Sequence, residues 1–122
     1  MRLKTGLAAA GLLASVAVLV PTPAQAATGY DRCPANRLCV FSGVNGTGVI
    51  GYFTTGDGNL ADTSGPRGLN NNIESAWNRR AEVWCLWNDA GYQGAFGIAY
   101  GGSKGNIPAG SRNLTSSLRG CG

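Results

Sequence analysis

Apolar positions in this chain come in two kinds of run. From Leu7 to Val20 nearly every residue is apolar, and Pro21 and Pro23 close the run. Beyond Ala27 the runs are short and set apart by turn signals: Leu38–Phe41, Val49–Phe53, Ala81–Trp87 and Ala95–Tyr100. None shows a helical period, so each predicts a short strand. Asn45-Gly46, between the first two, is a hairpin signal because both residues accept a positive φ. Thr54–Asn72 is polar, glycine-rich and irregular, and reads as a long surface connection with at most one helical turn. Eighteen of the twenty glycines follow Ala27, which disfavours long helices and suits tight turns. The pattern predicts an all-β domain with one long loop in each half.

The first apolar run has its own logic. Arg2 and Lys4 precede it, and Ala24-Gln25-Ala26 follows as a small-residue cleavage signal, so residues 1–26 are expected to be a secretory signal peptide. The run is shorter than the roughly 20 apolar residues a membrane span requires. Removal leaves residues 27–122, one domain's worth of chain with no membrane span.

Charge and cysteines change the picture in different ways. Eight of the ten basic residues lie after Ala26 against all six acidic ones, a net charge of +2. A nucleic-acid partner is not expected, because basic residues are not clustered: Lys104 is the one lysine after the leader and Arg79-Arg80 the one basic run. Cys33, Cys39, Cys85 and Cys121 are an even set in an exported chain and read as disulfides, with three connectivities open. Zinc is disfavoured by the lack of a C-x2-C pair and of any histidine.

Enzyme chemistry finds little material. Without histidine, acid–base work would fall to Asp31, Asp57, Asp62, Glu74, Glu82 and Asp89, which are scattered singly. The stretch "GGSKG" around Lys104 lacks the spacing of a phosphate loop and reads as a glycine-rich hairpin. No catalytic residues are expected.

The chain repeats itself. Cys39, Phe41 and Gly48 are matched by Cys85, Trp87 and Gly94, each pair 46 positions apart. Later, "NNIESAW" (residues 71–77) is echoed by "RNLTSSL" (residues 112–118), which aligns Ser75 with Ser116. Two copies of this length predict two motifs related by a pseudo-twofold. In each, the later serine is expected to hydrogen-bond back and hold the hairpin down. The phrase "WNDAGYQG", with Trp87, Tyr92 and Gly94 as aromatic-x4-aromatic-x-Gly, resembles the Greek-key signature of the βγ-crystallin superfamily. Gly46 stands where the first copy should carry its second aromatic, so a looser first corner is expected.

This resemblance implies a sandwich of two Greek-key motifs, one at about residues 33–82 and the other at about 83–122. It also implies cross-strand disulfide stapling, with Cys85 paired to Cys121 and Cys33 to Cys39. In βγ-crystallin domains a segment N/D-N/D-x-x-S/T-S lines paired calcium sites. The candidate ligands are therefore Asn71, Asn72, Ile73 and Ser75 in one half and Asn113, Leu114 and Ser116 in the other. Calcium is the one candidate cofactor, and the inhibitor reading that follows requires none.

"CPANRLCVFSG", placed after a leader, is similar to the start of small secreted actinobacterial metalloproteinase inhibitors. That resemblance implies a monomeric peptidase inhibitor acting by a rigid loop, with an extracellular peptidase as partner. The loop region corresponds to residues 99–105, where characterised members carry a local disulfide and this chain has no cysteine. Tyr100 and Lys104 are its candidate contacts. The alternatives are a calcium-binding extracellular module and a killer-toxin-like antimicrobial protein. The antimicrobial reading would ask for a cationic or amphipathic face, which the sequence does not display.

Overall fold

A computed structural model describes residues 28–122; the expected signal peptide lies outside the described residues. Seven strands form: β1 (Leu38–Phe41), β2 (Ile50–Phe53), β3 (Ser75–Asn78), β4 (Trp84–Asp89), β5 (Gln93–Ala99), β6 (Lys104–Asn106) and β7 (Ser117–Gly120). Three short 3-10 turns lie among them, and no helix of the described residues is long and apolar enough to cross a membrane. All pairings are antiparallel, in two sheets of order β2-β1-β3-β6 and β5-β4-β7.

The order records two interlocked Greek keys. β6, from the second half, leaves its own hairpin and pairs with β3 of the first, with Ala76 opposite Gly105. The first half returns the exchange through Asp57, which forms a two-bond bridge to Leu118 on β7 (2.8 and 3.0 Å). Each sheet therefore contains a piece of both halves.

The apolar runs follow from what covers each face. Leu38–Phe41 is continuous rather than alternating because β1 is buried on both sides. Leu38 and Val40 enter the inter-sheet core with Phe53, Leu60, Leu69, Ile73, Trp84, Leu86 and Leu118. Cys39 and Phe41 face the other way, into a smaller cluster with Cys33 that Tyr30, Ile50 and Trp77 flank. Thus the segment at Thr28–Arg37 is a lid over the outer face of the first sheet, fastened by the Cys33–Cys39 disulfide. Cys85 on β4 is bonded to Cys121, just past β7.

Within the long connection, Leu60 and Leu69 reach the core while the residues around them stay polar. Asx turns shape it locally: the Asp57, Asn59 and Asp62 side chains each accept the amide two residues on. The hydroxyl and amide of Ser64 hold the Asp62 carboxyl below its ordinary range.

Candidate functional site

Each hairpin is fastened by one buried serine. Ser75 Oγ accepts the amide of Gly46 (2.9 Å) and donates to the Gly43 carbonyl (2.6 Å). Ser117 Oγ accepts the amide of Tyr92 (3.0 Å) and donates to the Asp89 carbonyl (2.6 Å). The clasp of the second half is therefore Ser117, and the expectation that Ser116 holds it is corrected. Ser116 points away and donates to Asn71 Oδ1 (3.0 Å). Aligning the two phrases on a shared asparagine–serine spacing shifted the register by one residue. The pseudo-twofold pairs Ser75 with Ser117 and Asn71 with Asn113: the Asn71 amide reaches the Thr115 carbonyl, and the Asn113 amide reaches that of Ile73.

The aromatic corners are equivalent by different means. In the second half Trp87 and Tyr92 meet edge to face at 5.5 Å, with Tyr92 at φ 61° and Gly94 at φ 84°. The Arg119 guanidinium lies 4.0 Å from the Tyr92 ring centroid. In the first half, Gly46 leaves room that Tyr30 fills from the amino-terminal lid, meeting Phe41 edge to face at 5.4 Å. A Cβ on Gly46 would lie 2.8 Å from Tyr30 Cδ1. The first corner is thus completed by a residue sixteen positions earlier in the chain, and the expectation of a looser corner is corrected.

Between β5 and β6 runs the turn that carries the candidate contacts. Tyr100 is exposed (63%), and its carbonyl accepts both the amide and the hydroxyl of Ser103 (3.0 and 2.7 Å). The turn is tied to the junction between the motifs, where Asn78 is fully buried. The Gly102 amide donates to the Asn78 carbonyl (2.7 Å), and the Asn78 amide donates to the Ser103 carbonyl (2.9 Å). The Asn78 side-chain amide donates to the carbonyls of Glu82 (2.8 Å) and Ala99 (2.9 Å). Gly101 lies so close to Ala81 that a Cβ would stand 2.5 Å from its carbonyl oxygen. Hydrogen bonds to the buried Asn78 therefore brace this turn without a local disulfide. Asn78 was not legible as a brace, since an asparagine before two arginines reads as a solvated turn.

Lys104 is not on the turn but on β6. Its ammonium sits 4.6 Å from the Trp77 ring centroid and 5.3 Å from that of Tyr30, and the Arg79 guanidinium is also 4.6 Å from Trp77. Nearby, Glu82 accepts from Arg80 Nε (2.6 Å) and the Trp84 indole (3.2 Å). The Arg80 hydrogen bond above all holds its carboxyl below the usual range.

Among the candidate calcium ligands, Ser116 Oγ donates to Asn71 Oδ1, and Asn113 Nδ2 donates to Glu74 Oε2 (2.9 Å). Asn72 turns back to the Gly68 carbonyl, Leu114 is exposed, Ile73 is in the core, and both hydrogen bonds of Ser75 belong to the hairpin. Asn59, Asn70, Asn88 and Asp89 line the same shallow depression as Asn71, Asn113 and Ser116. Asn70 Oδ1 and Asn113 Oδ1 are buried without a protein partner. These oxygens suit a hard cation in kind, but the set is poor in carboxylates. No group of three or more acidic, cysteine or histidine side chains suited to a metal occurs among the described residues.

Comparison with solved structures defines the class as the βγ-crystallin fold. A βγ-crystallin from Ciona intestinalis superposes with TM-score 0.60 at 19% identity, over 70% of this chain and 100% of the other. A βγ-crystallin domain from Flavobacterium johnsoniae gives 0.59 at 27% identity, over 67% and 90%. An archaeal βγ-crystallin gives 0.56 at 22% identity, over 72% and 100%. More particularly, residues 26–99 match the model of peptidase inhibitor family I36, and the chain belongs to that family. Membership makes it a peptidase inhibitor and not an enzyme. No curated protein matches the chain.

Proposed function

We propose that the protein is exported and inhibits an extracellular metalloproteinase through the rigid turn after β5. Family membership supplies the peptidase partner. The observation that carries the finer reading is the bracing of residues 100–103 against buried Asn78, which leaves Tyr100 exposed on a turn that cannot easily yield. A loop ordered before docking loses little conformational entropy in the complex, so a modest contact area can bind tightly. It also resists being pulled into a hydrolysable geometry. Two disulfides suit an exported protein.

The test is a titration of thermolysin with the purified, oxidised protein, following cleavage of a peptide substrate. Stoichiometric loss of activity is expected, and Tyr100→Ala should weaken it while leaving the unfolding midpoint in place. Full thermolysin activity at large excess would refute the metalloproteinase reading. A panel of serine and cysteine peptidases would then locate the target class.

A second reading has one observation behind it. The unpartnered Asn70 and Asn113 oxygens, beside Asn71, Asp89 and Ser116, support weak calcium binding as a stabilising device. Millimolar calcium, but not magnesium, should then raise the melting temperature, and Asn113→Ala should remove the rise. An unchanged melting temperature in the wild-type protein would refute it.

A further inference from the structure

Edge strands can accept another chain because their outward N–H and C=O groups lack ladder partners. Of the four sheet edges here, β6 has three residues, β2 has four, and β7 is bridged by Asp57. β5 is the longest strand, with seven residues, six of them exposed. Gln93–Ala99 contains no charge and no proline, the usual devices that blunt an edge. Among the described residues, its one hydrogen bond beyond the ladder to β4 is the Ala99 carbonyl with Asn78.

Beside β5 a groove of about 430 Å³ opens between it and the segment leading from β6 to Ser111. Ala95, Gly97 and Ala99 form one wall, and Ala76, Ile107 and Pro108 contribute to the others. Phe96 and Ile98 alternate with those small residues and are about half exposed (55% and 49%).

The groove selects among occupants. If two copies paired β5 with β5 about a twofold axis, odd positions would face odd positions. Each copy would then offer only Ala95, Gly97 and Ala99 to the groove and leave it unfilled. A foreign strand with a bulky apolar side chain at every second residue would fill it while pairing its main chain. The lining holds no carboxylate, and its one charged residue, Lys104, carries its ammonium over Trp77 and Tyr30 on the opposite face of the sheet, so the groove is uncharged and favours apolar side chains. β5 also runs directly into the Tyr100 turn.

We infer that β5 is a docking edge for an extended segment of the target peptidase, which adds as an antiparallel strand and drops alternate apolar side chains into the groove. Main-chain bonds would then supply affinity and the groove selectivity. This inference rests on the inhibitor reading for its partner, so two experiments separate the claims.

The first needs no peptidase. A capped pentapeptide alternating threonine and leucine is titrated into the purified, oxidised, 15N-labelled protein. Saturable shifts are expected at the amides of Gln93–Ala99, and an analogue N-methylated at alternate amides should cause none. Shifts elsewhere, none at millimolar peptide, or β5 shifts that follow protein concentration together with a dimer mass would each overturn the inference. The second is Gly97→Leu. A Cβ at Gly97 meets nothing within 4 Å, so the fold has room for it and the leucine occupies the groove. Thermolysin inhibition should weaken by roughly ten- to a hundredfold, the range for blocking one apolar pocket. The unfolding midpoint should not move. Wild-type inhibition by this variant would overturn the peptidase as the source. If the wild-type protein does not inhibit thermolysin at all, the metalloproteinase reading fails, while the peptide titration still decides the docking edge.

Discussion

Replacing either of two neighbouring serines with alanine should give very different results. The Ser117 hydroxyl is fully buried and makes two hydrogen bonds, one accepted from Tyr92 and one donated to Asp89. Ser117→Ala removes both, at about 1 kcal/mol each, and leaves the Tyr92 amide without a partner, bringing the loss to about 2–4 kcal/mol. The hairpin then has less to hold Tyr92 at φ 61°, a conformation that itself costs about 1–2 kcal/mol for a residue with a Cβ. Ser116→Ala removes one bond to Asn71 at the surface, worth about 0.5 kcal/mol.

The assay is urea unfolding of the oxidised protein, followed by tryptophan fluorescence. With a slope of about 1 kcal/mol per M for a small domain, Ser117→Ala should lower the midpoint by about 2 M or more. Ser116→Ala should leave it within about 0.5 M on the same slope. Equal effects, or a larger effect at Ser116, would refute the register assigned to the two halves and the buried-clasp argument with it.

The other expected outcomes concern what fastens the sandwich. Removing Cys85–Cys121 by paired serine substitutions should cost about 4 kcal/mol, and removing Cys33–Cys39 about 2.5 kcal/mol, because the closed loops differ in length. A reversed order of urea midpoints would count against this loop-entropy account. Tyr30→Ala should cost about 2 kcal/mol by emptying the corner beside Phe41 and Gly46. Hydrogen exchange would detect it first at Asn45–Gly48, and unchanged protection there would refute the role given to Tyr30. Tyr30→Phe keeps the ring and should lie within about 0.5 kcal/mol of wild type, because no described protein group meets the hydroxyl. The Glu82 carboxyl is held below its unfolded value, chiefly by Arg80. Its contribution to stability is therefore complete above the ordinary carboxylate range and fades as pH falls through the lowered folded value. Glu82→Gln should flatten the acid limb of a melting-temperature profile; an unchanged limb would show that the pair contributes nothing.

Much of the fold was legible because it depends on local rules. Short apolar runs between glycine-rich turns set the strand class, and the 46-residue echo from Cys39 to Gly94 revealed two motifs. The hairpin at "WNDAGYQG" declares its own geometry, since aromatic cover and a left-handed glycine are properties of a few adjacent residues. What had to be decided in three dimensions was which distant residues meet. Ser116 and Ser117 are both serine, and only the β4–β7 register, with Trp87 opposite Ser117, chooses between them. Gly46 looked like a missing aromatic until the lid delivered Tyr30. Asn78 became a brace only when β5 and β6 crossed between sheets on either side of it. Local periodicity and turn chemistry act over a few residues and survive in a linear string. A side chain's partners depend on long-range pairing, and one residue of register exchanges a buried clasp for a surface contact.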